Sequence, residues 1–350
     1  MIILISYFGH VLGTRILSVL LAFVALLVLM DLIDNIEDIL ERRGNVADVI
    51  LFATYRIPTI VERLIPLSVL IGSTMGILAL ATHSELIILR ATGMSAIKVV
   101  TLMAPICLLI ISIHFFLADR IAPYSQQAFI DWWEPLLNRG GIQWLRSDGS
   151  LVRISEVSQD GRTLLGLSFF ERDESGRLLG RITAAAAEFK GGNWQLYDTK
   201  ETVLSKTGPE IIQMPTKAWL NGPDPQIILN LIARPEQLSK NTLGQILSVA
   251  WSSTADPSVY STELIRRSVG PLTSLVMMLI AASTIRGQNR SGGPQLGAAV
   301  ALGLGLTFLV VDGMFSALGK AAVLTPFVAA WTPLAVFVGL STFFLFRFEK

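Results

Sequence analysis

Ser84, Glu85, Leu86, Leu89, Arg90 and Gly93 are the most informative cluster of side chains in the sequence. They sit in ATHSELIILRATGMSAIKVV, residues 81–100, between two stretches apolar enough to cross a membrane. Ser84 suits a helix N-cap, Glu85 falls in the first turn where the helix dipole favours an acid, Leu86 and Leu89 share a face, and Gly93 supplies a stop. The spacing predicts a short helix over about residues 82–93, lying at a membrane surface. An acid flanked by apolar groups is what docking into a basic groove of another protein requires. An interfacial helix held by lipid alone is the competing reading. Asp31 and Asp34 near the end of the first apolar stretch, Asp119 and Arg120 at the end of the third, and Asp312 at the end of the fifth carry charge where hydrocarbon makes it costly. Each also falls near a headgroup boundary, where a charge needs no function.

Chemistry carried by the chain itself finds little support. His10, His83 and His114 are scattered, and with the single Cys107 they offer no metal-ligand spacing. No Ser, His and acid cluster suggests a nucleophile. The nearest approach to a phosphate loop, GMFSALGKA at residues 313–321, has one residue too many between its glycines and Ala321 where a magnesium-binding hydroxyl belongs. We therefore expect no metal, no cofactor and no ATPase site, so that any ATP-driven work is powered by another subunit.

The elements that position these residues follow from composition. Hydrophobic residues make up 52% of the 350 and charged residues 16%, against about 25% charged in soluble domains. A net charge of +1 argues against a nucleic-acid surface. Charge-free runs at 64–83, 99–118, 268–285, 291–311 and 321–346 are each long enough to span a bilayer. The run at 16–30 is shorter, and Arg15 before it raises a signal peptide as the alternative. No small-x-small cleavage site follows; Asp31, Leu32, Ile33, Asp34 and Ile36 instead continue at helical spacing. Six spans put both termini on one side. Arg15, Arg90, Lys98, Arg286, Arg290, Arg347 and Lys350 against Arg42, Arg43, Arg56 and Lys320 favour that side as the cytoplasm.

From 122 to 260 the hydropathy collapses. After a helical entry, SQQAFIDWWEPLLN, come short runs, SLVRISEV, TLLGLSFF, GRITAAAAEF and NWQLYD, separated by Asp160-Gly161, Ser175-Gly176 and Gly191-Gly192 as hairpin turns would separate them. This reads as an all-β, jelly-roll-like domain, with RPEQLSKNTLGQILSVAWSS as a short helix leading back to the membrane. Its apolar positions are either the domain's own core or a surface that receives acyl chains. Gly297, Gly303 and Gly305 in the fifth span mark close helix packing or a ligand site.

The S-E-L...R-A-T-G connection, the three-plus-three spans around an outer β domain, RPEQLS before the fourth span and Gly270-Pro271-Leu272 together resemble the YjgP/YjgQ family, the LptF and LptG permease subunits of the lipopolysaccharide exporter. The resemblance covers essentially the whole chain. PEQLS and the short tail after the last span are closer to the LptG branch. It implies an inner-membrane protein of six transmembrane helices with a periplasmic jelly-roll-like domain between helices 3 and 4. The implied divisions are 1–121, 122–260 and 261–350. It implies a heterodimer with an LptF-like permease, driven by an LptB-like ATPase dimer. Such a complex extracts lipopolysaccharide from the outer leaflet and passes it to an LptC/LptA-like periplasmic bridge. By the same resemblance the helix at Glu85 is the coupling helix, and the lateral gate lies between the first span of one subunit and the fifth of its partner. Asp31 and Gly297 stand where family members carry basic residues that meet lipid phosphates. Arg42 and Arg43 are the substitutes, or the lipid A is less phosphorylated. The rival readings are an exporter permease for another amphiphile, whose outer domain would follow the first span, a lipid-modifying enzyme using His114, Asp119 or Asp312, and a scaffold that only anchors the bridge.

Overall fold

A computed structural model describes the chain apart from residues 1, 43–44, 84, 93, 134–142, 148–149, 159, 173–176, 206–207, 221, 234, 249–251, 254–255, 284–292 and 348–350. It divides into two compact units, Met1–Phe129 with Ile265–Lys350, and Ile130–Leu264.

The first unit is helical, and six helices among the described residues are long and apolar enough to cross a membrane. α1 (Ile2–Arg42), α2 (Val46–Thr82), α3 (Glu85–Ala91) and α4 (Ala96–Phe116) come before the β domain. The helices outrun the charge-free segments that predicted them: the first run, 16–30, sits inside the 41 residues of α1. α2 begins 18 residues ahead of Leu64 and runs through Arg56, Glu62 and Arg63. Charges interrupt a hydropathy run without interrupting a helix, because the backbone hydrogen bonds do not depend on the solvent around the side chains. Asn45 starts α2, its side chain accepting from the Ala47 N–H, and Ser95 starts α4 by accepting from the Lys98 N–H.

The third span was expected to stop at Ala118. Instead α4 passes through a π turn, Leu117–Ile121, into α5 (Ala122–Trp133). Pro123 accounts for the turn's position, since its ring would collide with the carbonyl four residues earlier in a regular helix and the wider π turn removes that clash. Beyond the β domain, α8 (Pro257–Val269) meets a single 3₁₀ turn at Gly270-Pro271-Leu272 and continues as α9 (Thr273–Ser283), followed by α10 (Gly293–Lys320) and α11 (Pro326–Arg347). Residues 321–324, expected within the sixth span, form a turn in which Ala322 takes φ 58°.

α2 is the hub of this unit. Of its most apolar window 67% is buried, against 11% for α1 and 17% for α10, so those two present most of their surface outward. A bundle in lipid gains little from hydrophobic burial and relies on close packing of small residues. Gly72-x-x-x-Gly76 provides it, because a Cβ at Gly72 would lie 2.5 Å from the Ile16 backbone and one at Gly76 2.5 Å from a Leu12 methyl. On another side Leu70 fills the space left by Gly305 of α10. Phe8, Val69, Met103, Met277 and Phe308 complete the core.

The second unit is built on one antiparallel sheet of eight strands. β1 (Gln143–Ser147), β2 (Ser150–Ile154), β3 (Glu156–Val157), β4 (Thr163–Arg172), β5 (Leu178–Lys190), β6 (Asn193–Ser205), β7 (Gly208–Trp219) and β8 (Ser252–Ser253) run in the order β7-β6-β5-β4-β2-β1-β8, with β3 also on β4. Asp160-Gly161 and Gly191-Gly192 make turns as expected, the three glycines having positive φ; the Ser175-Gly176 turn lies outside the described residues. β1, β7 and α6 (Pro225–Ile232) were not foreseen, and the expected return helix is a 3₁₀ turn, Pro235–Gln237, then α7 (Lys240–Ser248). One face of the sheet, with Leu164, Phe169, Ile182, Trp194 and Leu196, packs on Ile228 and Leu229 of α6 and on Leu243 and Ile246 of α7. Those apolar positions are therefore the domain's own core.

Candidate functional site

α3 is the short helix expected around Glu85. It ends where Thr92 N donates to the Ile88 carbonyl and Met94 N to that of Leu89, so the backbone turns away just before Gly93. Ser84 and Gly93, the expected cap and stop, lie outside the described residues, as do the side chains of Leu86 and Arg90. Leu89 packs against the bundle core, so α3 is held by protein and not by lipid alone. Ile88 is 61% exposed on the other side. The docking reading asks for an exposed acid at Glu85. That residue is half-buried, and its Oε2 accepts a 2.7 Å hydrogen bond from the Tyr7 hydroxyl of α1. Nearby on the chain, Arg15 of α1 donates to the Met75 carbonyl at 2.9 Å. The helix that carries Glu85 is thus tied by a side chain to the first span.

Two of the acids expected at span ends are ion-paired between helices. Asp31 of α1 takes Nε and Nη2 of Arg56 from α2 at 2.5 and 2.9 Å, and the same guanidinium lies 5.4 Å from the Phe129 ring centroid. Asp312 does not end the fifth span: it lies eight residues inside the end of α10, where Arg266 of α8 donates to Oδ2 at 2.8 Å and Oδ1 at 3.3 Å. A lone charge at such depth would be costly, and an arginine on the next helix removes most of that cost. Asp34 is exposed, and Asp119 sits 3.6 Å from Arg120. The π turn has its own support, as buried Arg267 donates to the Ala118 carbonyl at 2.8 Å. The Arg42 side chain and Arg43 lie outside the described residues. His114, named in the enzyme reading, faces Ser274 at 3.2 Å.

The three glycines of α10 do not form one seam. Gly305 packs on Leu70 of the same chain, a Cβ at Gly303 would meet nothing within 4 Å, and Gly297 is half-buried. Gly303 instead shares an exposed stripe with Leu296, Val300, Leu306, Val310 and Met314. Sequence reasoning missed Tyr7, Arg56, Arg266 and Arg267, whose partners are distant along the chain. It also missed Gly72-x-x-x-Gly76, whose spacing alone signals close helix packing.

Among the described residues no group of three or more His, Cys, Asp and Glu could hold a metal ion. The 313–321 segment begins as regular α10 helix, in which backbone N–H groups are already bonded and cannot cradle phosphate.

The model of the family "Lipopolysaccharide export system permease LptF/LptG" matches residues 7–347. The lipopolysaccharide export system permease protein LptG of Escherichia coli strain K12 is 24% identical over 356 aligned positions, covering 99% of this chain and 98% of that protein. LptG of Haemophilus influenzae is 22% identical over 316 positions, covering 87% of each. With six membrane-spanning helices, a β domain between the third and fourth, and a family match over nearly its full length, the chain belongs to the LptF/LptG family of lipopolysaccharide export permeases.

Proposed function

We propose that the chain is the LptG-like subunit of a permease that extracts lipopolysaccharide from the outer leaflet of the inner membrane and delivers it to a periplasmic bridge. Its partners are an LptF-like permease, an LptB-like ATPase dimer and LptC/LptA-like bridge proteins. Both termini and α3 face the cytoplasm and the β domain faces the periplasm. With Cys107 replaced, an impermeant thiol reagent should label single cysteines at Ser158 and Thr207 in intact cells and spare those at Ser84 and Gln288; labelling at 84 inverts the topology.

The family match supports the substrate class, and the observation that carries the coupling role is the Tyr7–Glu85 bond. An ATPase surface that grips α3 through Ile88 and the second carboxylate oxygen of Glu85 also pulls on α1, whose outward-facing surface suits it to part from a partner helix. A charge-assisted contact is worth about 1.5–3 kcal/mol, and 1.4 kcal/mol is about tenfold in affinity. Glu85→Ala and Glu85→Lys should leave the complex folded, weaken ATPase docking about tenfold or more, and uncouple hydrolysis from lipid release. Wild-type coupling in both variants, with purified complex and labelled lipid, sinks the coupling role and favours the scaffold reading.

A further inference from the structure

The sheet is creased along a line that crosses three adjacent strands. Gly166 of β4 has φ +63° and Asp198 of β6 has φ +51°, and the strand registers skip both of them together with Ala185 of β5 between them. On the next strand the register also skips Pro215, which has no N–H to donate, so the ladder is interrupted there. The buried positions shift phase at the same line, from Leu164 to Leu167, from Ala187 to Ala184 and from Leu196 to Thr199. Such a line of irregularities bends a sheet. On the side away from the α6 and α7 core it leaves a groove of about 440 Å³, within the size range of a small-molecule site.

The groove is polar and cationic. Arg153, Ser168, Thr183, Lys200 and Gln213 form one cross-strand row, each the register partner of the next. Arg153 and Lys200 stand about 14 Å apart along it, three strand spacings, and both line the groove with Asp198. Neither cation has an ion pair or hydrogen bond from its side chain among the described residues, and Arg153 Nε is shut off from solvent without an acceptor. A buried donor left unmade is unfavourable and marks a place where an acceptor belongs. Ser168 Oγ accepts from Arg181 at 3.3 Å, which leaves its own O–H to donate. The bundle offers a contrast, because Arg56 and Arg266 are already committed to Asp31 and Asp312.

We propose that this groove binds a phosphorylated sugar, with Arg153 and Lys200 on the phosphate and Asp198 with Gln213 on the sugar hydroxyls. The carboxylate sets the ligand class: it repels a bare anion and accepts from hydroxyl groups, so a sugar phosphate is favoured over inorganic phosphate. The proposal rests on the permease reading in one respect, that the sugar phosphate is the polar part of the transported lipid and not a free metabolite.

The test is calorimetric titration of the full-length chain in nanodiscs with glucose 1-phosphate and with inorganic phosphate. Glucose 1-phosphate should bind more tightly, Arg153→Gln and Lys200→Gln should each weaken it about tenfold, and Asp198→Asn should narrow the gap to inorganic phosphate. Lys200 is exposed, so its variant keeps the fold even if Arg153→Gln does not. No binding of either ligand, binding untouched by Lys200→Gln, or equal binding of the two ligands each overturns the proposal. A photocrosslinker at Thr183 in the ATP-driven complex separates the sources. It should capture phosphorylated lipopolysaccharide and not its dephosphorylated form; equal capture of both overturns the lipid assignment. ATP-driven lipid release by a wild type whose groove binds nothing sinks the groove alone, whereas absence of ATP-driven release sinks the permease reading.

Discussion

The Arg266–Asp312 pair gives the sharpest test of how the helical unit is held together. The carboxylate side chain is 14% exposed and the guanidinium 27%, and two N–H···O contacts join them across α8 and α10. Removing one member of a well-buried pair costs about 3–5 kcal/mol, mostly for the charge left behind. Partial exposure of the arginine pulls the expectation toward about 3 kcal/mol. For a unit of roughly this size 1 kcal/mol moves the melting temperature about 2–4 °C, so Asp312→Leu should lower it by about 6–12 °C. The partner variant Arg266→Met removes the stranded cation. The double variant should therefore melt above Asp312→Leu alone, although it carries more substitutions. The assay is thermal unfolding of the full-length protein in one detergent at one scan rate, with all four members of the cycle compared. Two results refute the reasoning: an Asp312→Leu protein melting within about 2 °C of wild type, or a double variant whose loss is the sum of the single losses.

Other expectations follow from the same geometry. Gly72→Ala places a Cβ 2.5 Å from the Ile16 backbone, which cannot rotate away, so it should loosen α1 from α2 and lower the melting temperature by several degrees; Gly303→Ala meets open space and should change it little. On the proposed permease reading, cysteine pairs between α1 and the partner subunit's fifth span should crosslink readily, block lipid extraction while the complex stays assembled, and release the block on reduction. Full-rate delivery by locked complexes removes this seam as the entrance. The Ser158 hydroxyl donates to Asp160 at 2.6 Å and the Arg162 N–H at 3.0 Å, holding the Asp160 carboxyl below its usual range. A depressed folded value stabilises the turn above the unfolded pKa, near 3.9, and that contribution is lost as pH falls through the folded value. Asp160→Asn should then speed amide exchange across residues 158–163 at pH 7 and flatten its dependence on acid; unchanged exchange at pH 7 would contradict this.

The number of spans was legible because an apolar run of about 20 residues has few other uses. Their ends were not, since Arg56 and Glu62 break the hydropathy of α2 while its backbone bonds continue. The segment at Glu85 was recognisable from residue types at helical spacing, yet nothing local announces Tyr7 as its partner, 78 residues away. Asp31 and Asp312 stood out as costly charges, and their neutralisation by Arg56 and Arg266 depends on which helices are neighbours. In the β domain Pro215 disguises β7, whereas Asp224 before Pro225 is a cap-and-first-turn signature that marks α6 in the sequence. The crease at Gly166 and Asp198 has no signature in one strand alone, because it exists only once neighbouring strands are in register.

The 41 residues of α1 make a rod roughly 60 Å long at 1.5 Å per residue, about twice the thickness of a hydrocarbon core. Tyr7 grips it near one end. A straight lever of that length turns a tilt of about 5° at its base into a sweep of about 5 Å at its tip. If α1 tilts as one body, a displacement at α3 too small to break the Tyr7–Glu85 contact would be magnified at the charged end of α1, beyond Asp31, without either helix changing its internal structure.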